Sequence, residues 1–233
     1  MTQINPYGDE LKSVITGFGS DVSSQHSSAF EEAIIERARA LQQAAKTSLV
    51  CLDLFSGYCA ANARRLAELG FTAYAADFSP ADATIVRMIG QKLPGGGTLH
   101  YLQGDVSHFD FGQLPAKLAL VTGQRGLHFL RFTEARILMA RLAANMESGA
   151  SMFFSIGAVD CKVGGGYKHA DRPVADRWHP LEPELGEPIH VTEPLCLYKR
   201  DDLDALFAGL PGSLVSVDVD DFGLYLVEYQ KRD

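Results

Sequence analysis

The chain has 233 residues, 46% hydrophobic and 21% charged, the balance of a globular protein able to bury a sizeable core. Lys and Arg number 21 against 29 Asp and Glu, a formal charge of −8 that argues against tight, non-specific binding to a phosphate backbone. No apolar run reaches membrane-spanning length, residues 1–9 lack the apolar stretch of a signal peptide, and Cys51, Cys59, Cys161 and Cys196 lack metal-ligand spacing. The expectation is a cytoplasmic chain with reduced thiols and no membrane or nucleic-acid partner.

Residues 1–26 are polar and contain glycine; Ser28 followed by Glu31 then reads as a capping box that opens a helix. Phe30, Ile34, Ala38, Leu41 and Ala45 recur at helical spacing, so one face of that helix should pack on a sheet edge or beside a ligand site. Residues 48–54 read as a first strand, 59–69 as a helix stopped by Gly70 in a left-handed cap, and 71–76 as a second strand ending in Asp77. Ser79-Pro80 predicts an N-cap with proline at the first helical position, hence a helix over 80–92. The loop at 94–97 leads to a third strand, 98–103, and a fourth spans 117–122. Thr133 should cap a helix ending near Gly149, with a fifth strand at 150–158. A last helix starts at Asp201 or Asp202, carries Leu203, Leu206 and Phe207 inward, and stops at Gly209. The strand-like runs 213–219 and 223–229 are separated by only three residues, which can join antiparallel strands but not parallel ones.

Strand, turn, helix and a parallel strand tipped with an acid make the nucleoside-binding half of a Rossmann-like sheet, with Asp77 placed to accept hydrogen bonds from ribose hydroxyls. A dinucleotide site needs G-x-G-x-x-G so that amides can approach a pyrophosphate; here Gly57 is alone, with Phe55 and Cys59 where two others could stand. The antiparallel hairpin at the end of a parallel sheet is likewise not the usual dinucleotide plan.

In these motifs the chain resembles the class I S-adenosylmethionine-dependent methyltransferases over residues 48–229. The matching pieces are Leu52-Asp53-Leu54-Phe55-Ser56-Gly57, Asp77-Phe78, Gln103-Gly104-Asp105-Val106 and residues 120–130 after the fourth strand. The resemblance implies an α/β, Rossmann-like, doubly wound seven-stranded sheet, mostly parallel with a C-terminal antiparallel hairpin. It further implies one methyltransferase domain over 1–233: a helical cap (1–47), a cofactor-binding half (48–158), a lid insertion (159–198), and a final helix with hairpin (199–233). For the cofactor, S-adenosylmethionine, it assigns Asp53 to order the first loop or to reach the methionine amine through water. Gly57 and its neighbours Phe55 and Tyr58 line that loop, Asp77 takes the ribose, and Phe78 lies against the adenine. Asp105 accepts from the adenine amino group, and the Val106 amide donates to a ring nitrogen. The first loop departs from the family pattern, which usually has two or three glycines.

Because a methyl sulfonium is already activated, catalysis reduces to in-line positioning and, for some nucleophiles, proton removal. Gln124 and Arg125 are polar at an apolar strand end and could meet the cofactor's methionine part or an acceptor carboxylate; Arg125 could equally pair with a nearby acid. His128, in an apolar run, reads more readily as a core histidine than as a base. The 159–198 stretch has no clear period, holds three of seven histidines and the only tryptophan, and should leave the carboxyl edge of the fifth strand as a substrate lid. There His169, His179 and His190 are candidate proton acceptors, and Trp178 could cover an acceptor or simply pack the lid. A magnesium site from these histidines with Asp171 or Glu182 lacks a defining spacing, so no metal is assigned. The expected function is methyl transfer to a small-molecule acceptor, at oxygen or nitrogen. The alternatives are a catalytically weak or inactive module that binds the cofactor or a partner protein, and a protein methyltransferase. DNA cytosine and amino-adenine methylation are excluded by the absence of a Pro-Cys pair and of an Asn/Asp-Pro-Pro-aromatic loop. Acceptor identity and oligomeric state are not encoded legibly.

Overall fold

A computed structural model describes residues 28–187 and 191–232. Its centre is a seven-stranded sheet in the order β3-β2-β1-β4-β5-β7-β6. β1 (Val50–Leu54), β2 (Thr72–Asp77), β3 (Thr98–Gln103), β4 (Leu118–Gln124) and β5 (Met146–Ile156) run parallel; β6 (Gly212–Val219) and β7 (Tyr225–Lys231) form the antiparallel hairpin, β7 against β5. The sheet departs from β1 in two directions, towards β2 and towards β4, so a crevice opens at their carboxyl ends.

β1 and β4 are buried at every position, as central strands covered on both faces must be. Alternate residues feed two cores. Cys51, Ala73, Ala75, Leu120 and Phe153 join Ile34, Ile35 and Ala38 of α1 (Ala29–Ala44) and Ala63, Leu66 and Ala67 of α2 (Ala61–Glu68). Leu52, Leu54, Val121, Met152 and Phe154 face α4 (Phe132–Asn145) and α6 (Arg200–Phe207). The short helices α3 (Ala83–Met88) and α5 (Pro183–Gly186) complete the set of α-helices among the described residues.

The caps of α1 and α2 follow the sequence. Ser28 and Glu31 form both bonds of the capping box. Gly70, at φ 103°, ends α2 in a Schellman arrangement, its amide bonded to Ala67 and that of Phe71 to Leu66. Gly209 (φ 78°) follows α6 in the same conformation. Three expectations are corrected. The helix over 80–92 is only Ala83–Met88, because Asp82 rather than Ser79 caps it, accepting from the Thr84 and Ile85 amides at 2.7 and 2.8 Å. Thr133 is not a cap: Arg131 holds that place, its amide bonded to Glu134 at 2.9 Å. The helix ends at Asn145, and β5 begins at Met146, its register against β4 shifting before Ser151; Gly149 (φ 77°) serves that irregularity rather than a helix stop.

Residues 159–187 and 191–198 pack around their own apolar cluster, Val159, Tyr167, Leu181, Val191, Leu195 and Leu197. Arg177, 2% exposed, pins the segment: it donates to the carbonyls of Arg172 and Leu197 and to the Asp202 carboxylate of α6. Tyr167 donates to the Arg177 and Leu195 carbonyls, and the Arg131 guanidinium lies 3.9 Å from the Trp178 ring centroid. His190 lies outside the described residues.

Candidate functional site

The loops that leave β1, β2 and β4 meet at the crevice, and a hydrogen-bond clamp joins the first two. Asp77, at the tip of β2, accepts the Gly57 amide at 2.9 Å on one carboxylate oxygen and the Ser79 amide at 2.8 Å on the other. Tyr101 of β3 directs its hydroxyl at the carbonyls of the same two residues, Gly57 at 3.1 Å and Ser79 at 2.8 Å. The carboxylate thus holds the N–H of each loop, and the single phenolic proton is shared between their two carbonyls. Two of the roughly four acceptor positions of a carboxylate are used in this way. Gly57 sits at φ 64°, where a side chain would be strained, and Tyr58 accepts the Asp82 amide at 2.9 Å, tying the first loop to α3. Beside Asp77, Phe78 is 57% exposed, an aromatic face open to solvent.

Asp53 is 2% exposed and stays within the protein: it accepts from Thr122 Oγ1 at 2.6 Å and from the Ala63 amide at 3.2 Å. These bonds tie the end of β1 to β4 and to the first turn of α2. Burial pushes its carboxyl up to about 7, opposed by those hydrogen bonds and reinforced by the charges of Glu31 and Asp77.

Among the described residues three non-glycine residues have left-handed backbones, and all flank the crevice: Phe55 (φ 56°), Ala60 (φ 43°) and Arg125 (φ 55°). The Phe55 ring rests on Gly126, where a Cβ would fall 1.9 Å from Phe55 Cγ. A bulky residue in the β1 loop is therefore matched by a glycine in the β4 loop. Arg125 anchors its amide on Ser155 (Oγ 2.8 Å, carbonyl 3.2 Å) and turns its guanidinium to Glu31 of α1 at 3.5 Å. The nearby acid is one of its partners here. Gln124 is 6% exposed, and its Nε2 has no hydrogen-bond partner among the described residues. His128 accepts the Gly157 amide on Nδ1 at 3.1 Å; burial, then the Arg125 charge, pushes its pKa down to about 4, so it is a neutral, packed histidine.

The next loop belongs to Asp105, which caps a 3-10 turn, Val106–His108, accepting from the Ser107 amide and hydroxyl and from His108 Nδ1. Burial raises its carboxyl, but the bonds from Ser107 and His108 outweigh it and hold it below the ordinary range. Val106 places its side chain in the core. His169 and His179 meet each other, ring centroids 4.0 Å apart, and His179 Nδ1 donates to the Pro180 carbonyl at 2.8 Å. Their ring and hydrogen-bond contacts lie within the 159–198 segment and do not reach the β1, β2 or β4 tips. Burial, His179 and Arg172 push the His169 imidazole below its ordinary value. Among the described residues no group of three His, Cys, Asp or Glu side chains is arranged to hold a metal, and no helix is long and apolar enough to cross a membrane.

Sequence reasoning placed Asp53, Phe55, Gly57, Tyr58, Asp77, Phe78, Gln124 and Arg125 in one region, and the structure puts them at or beside the carboxyl ends of β1, β2 and β4. It missed Tyr101, Thr122, Ser155 and Glu31, whose polar ends make the decisive bonds. A tyrosine in the expected strand 98–103 was the one available signal.

No family model matches the sequence, and no curated protein matches it. Among solved structures it is similar to an S-adenosylmethionine-dependent methyltransferase of Methanosarcina mazei (14% identity, 83% of this chain and 97% of that one, TM-score 0.61). It is also similar to the 1,6-didemethyltoxoflavin-N1-methyltransferase of Burkholderia thailandensis, solved with its substrate and S-adenosylhomocysteine (18% identity, 87% and 80%, TM-score 0.56). A third is the magnesium protoporphyrin IX methyltransferase of Synechocystis with bound S-adenosylhomocysteine (15% identity, 86% and 83%, TM-score 0.53). The fold is that of the class I methyltransferases.

Proposed function

From that fold we propose that the chain binds S-adenosylmethionine and transfers its methyl group to an oxygen or nitrogen of a small molecule. The observation that carries the reading is the Asp77 clamp beside the exposed Phe78 ring: an ordered carboxylate with acceptor capacity to spare next to a flat apolar face. The donor set suits the cofactor's parts. Asp77 takes the ribose hydroxyls, Phe78 lies against the adenine, and Asp105 with the Val106 amide faces the adenine edge. Gly57, Tyr58 and Gln124, whose Nε2 has no partner among the described residues, are left for the methionine end. When bound, the cofactor supplies an activated methyl group on a sulfonium. What remains to the protein is to line up the acceptor, to exclude water and, for a protonated acceptor, to take a proton.

For that last role His169 and His179 of the 159–198 segment, read as a lid, are the candidates, and Arg125, braced on Glu31, is the candidate for positioning an anionic group. Magnesium protoporphyrin and didemethyltoxoflavin are small, flat acceptors in similar proteins, which supports the same class here. A second reading is favoured by one observation. Phe55 holds a backbone conformation suited to glycine, and a loop so altered fits a module that binds the cofactor without turnover. Isothermal titration calorimetry with S-adenosylmethionine and S-adenosylhomocysteine tests both. Saturable binding weakened at least about 100-fold by Asp77→Ala supports the cofactor site, and methyl transfer to any acceptor then excludes the silent module. A folded protein that binds neither ligand at millimolar concentration overturns the proposal.

A further inference from the structure

The crevice gathers the carboxylates of Glu31, Asp53 and Asp77, and two of the three, Glu31 and Asp53, are sealed from water. Glu31 reaches in from the first turn of α1 and is 1% exposed; it faces Arg125 at 3.5 Å. Asp77 stands at the tip of β2, and Asp53 lies beneath the loop on β1, close enough that Glu31 and Asp77 both act on its charge. On Asp53's own strand, Cys51 is a buried thiol pushed upward by burial and then by the Asp53 charge, so it adds no charge of its own at neutral pH. β4 offers Asp53 only the Thr122 hydroxyl, and α2 only the Ala63 amide.

The Thr122 contact can serve either ionisation state. At 2.6 Å the hydroxyl donates to a carboxylate or accepts from a carboxylic acid without either oxygen moving. A buried acid with such a partner, set among like charges, is poised to lose its proton when positive charge arrives. The proposed cofactor brings it: its sulfonium, ammonium and carboxylate sum to +1, whereas the thioether product is neutral.

We propose that Asp53 is the charge-selecting residue of the site, releasing its proton to solvent as the sulfonium cofactor binds, so that the cationic cofactor is held and the neutral product let go. This inference rests on the cofactor reading above. No bond to the ligand is made; the proton passes from the Asp53 carboxyl to the buffer, and the carboxylate left behind accepts from Thr122 and Ala63.

The test is titration calorimetry of the full chain with S-adenosylmethionine and S-adenosylhomocysteine between pH 6 and pH 9, in buffers of different ionisation heat. Asp53→Asn is the reference, because the α-amino group of either ligand titrates in the same range. Around pH 7, the value to which burial raises the Asp53 carboxyl, the native chain should release about 0.5 proton more per S-adenosylmethionine than the variant. Its apparent affinity for that ligand should rise about tenfold from pH 6 to pH 8 beyond any rise in the variant. S-Adenosylhomocysteine should show little of either effect. Thr122→Val, which removes a donor to the carboxylate, should move the midpoint of the affinity profile to higher pH; this reports on Asp53 even if Asp53→Asn does not fold. Equal proton counts in the native chain and Asp53→Asn, or for the two ligands, overturn the inference while leaving the cofactor assignment standing, as does an unmoved midpoint in Thr122→Val. Failure to bind either ligand removes the assignment itself, and the inference with it.

Discussion

Replacing Gly126 with alanine should be costly for one reason only, and that reason can be removed. Gly126 has φ −122°, ordinary for alanine, so no backbone strain is involved. The added methyl would sit 1.9 Å from Phe55 Cγ, 2.2 Å from its Cβ and 2.4 Å from its Cδ1. The ring must leave its half-buried seat or the two loops must part, a cost of about 2–3 kcal/mol on the scale of overpacked sites. Phe55→Gly relieves about 1–2 kcal/mol of left-handed strain and gives up a similar amount of ring burial, so alone it should change stability little. In that background Gly126→Ala meets open space and should be neutral, giving a coupling energy of about 2–3 kcal/mol. Phe55→Ala should not rescue, because the Cβ already lies 2.2 Å from the new methyl. Denaturant unfolding of the two single variants, the double variant and the native chain measures the coupling. Additivity within about 0.5 kcal/mol, or rescue by alanine as good as by glycine, would show that the ring does not rest where the reasoning puts it.

Other outcomes follow from buried polar groups. His128 is neutral in the fold with a pKa of about 4, while the unfolded chain's imidazole takes a proton near 6.5. The stability tied to its neutral form is therefore intact above pH 6.5 and lost as pH falls towards 4, by about 3 kcal/mol. The native chain should lose more of its Tm between pH 7.5 and pH 4.5 than His128→Gln, and parallel curves would contradict this. Arg177→Ala leaves the Asp202 carboxylate with the Lys199 amide but without this guanidinium, and removes three bonds to the Arg172 and Leu197 carbonyls; a loss of about 3 kcal/mol is expected, with faster proteolysis inside residues 159–198 than elsewhere. Uniform cleavage along the chain would show that the arginine does not pin that segment.

Elements whose signal is local were legible. The capping box of α1, the Gly70 cap, the apolar strands and the short hairpin link, which is five residues (220–224) rather than the three expected, are each set by signals close together in the chain, and the order strand, turn, helix, acid that led to Asp77 is contiguous in it. Boundaries failed where two local signals compete: Ser79-Pro80 looks like a helix start, but Asp82 two residues on accepts two amides and wins. The inner workings of the site were not legible, because they are long-range. Thr122 and Asp53 are 69 residues apart, Tyr101 and Gly57 44, Arg125 and Glu31 94. A threonine in an apolar strand or a tyrosine at its edge carries no mark of which distant carbonyl or carboxylate it will meet.

The Tyr101–Asp77 clamp makes the β1 and β2 loops one mechanical part. Whatever shifts Gly57 drags Ser79 with it, since the same hydroxyl and the same carboxylate grip both. A pocket built this way cannot be widened by loosening a single loop.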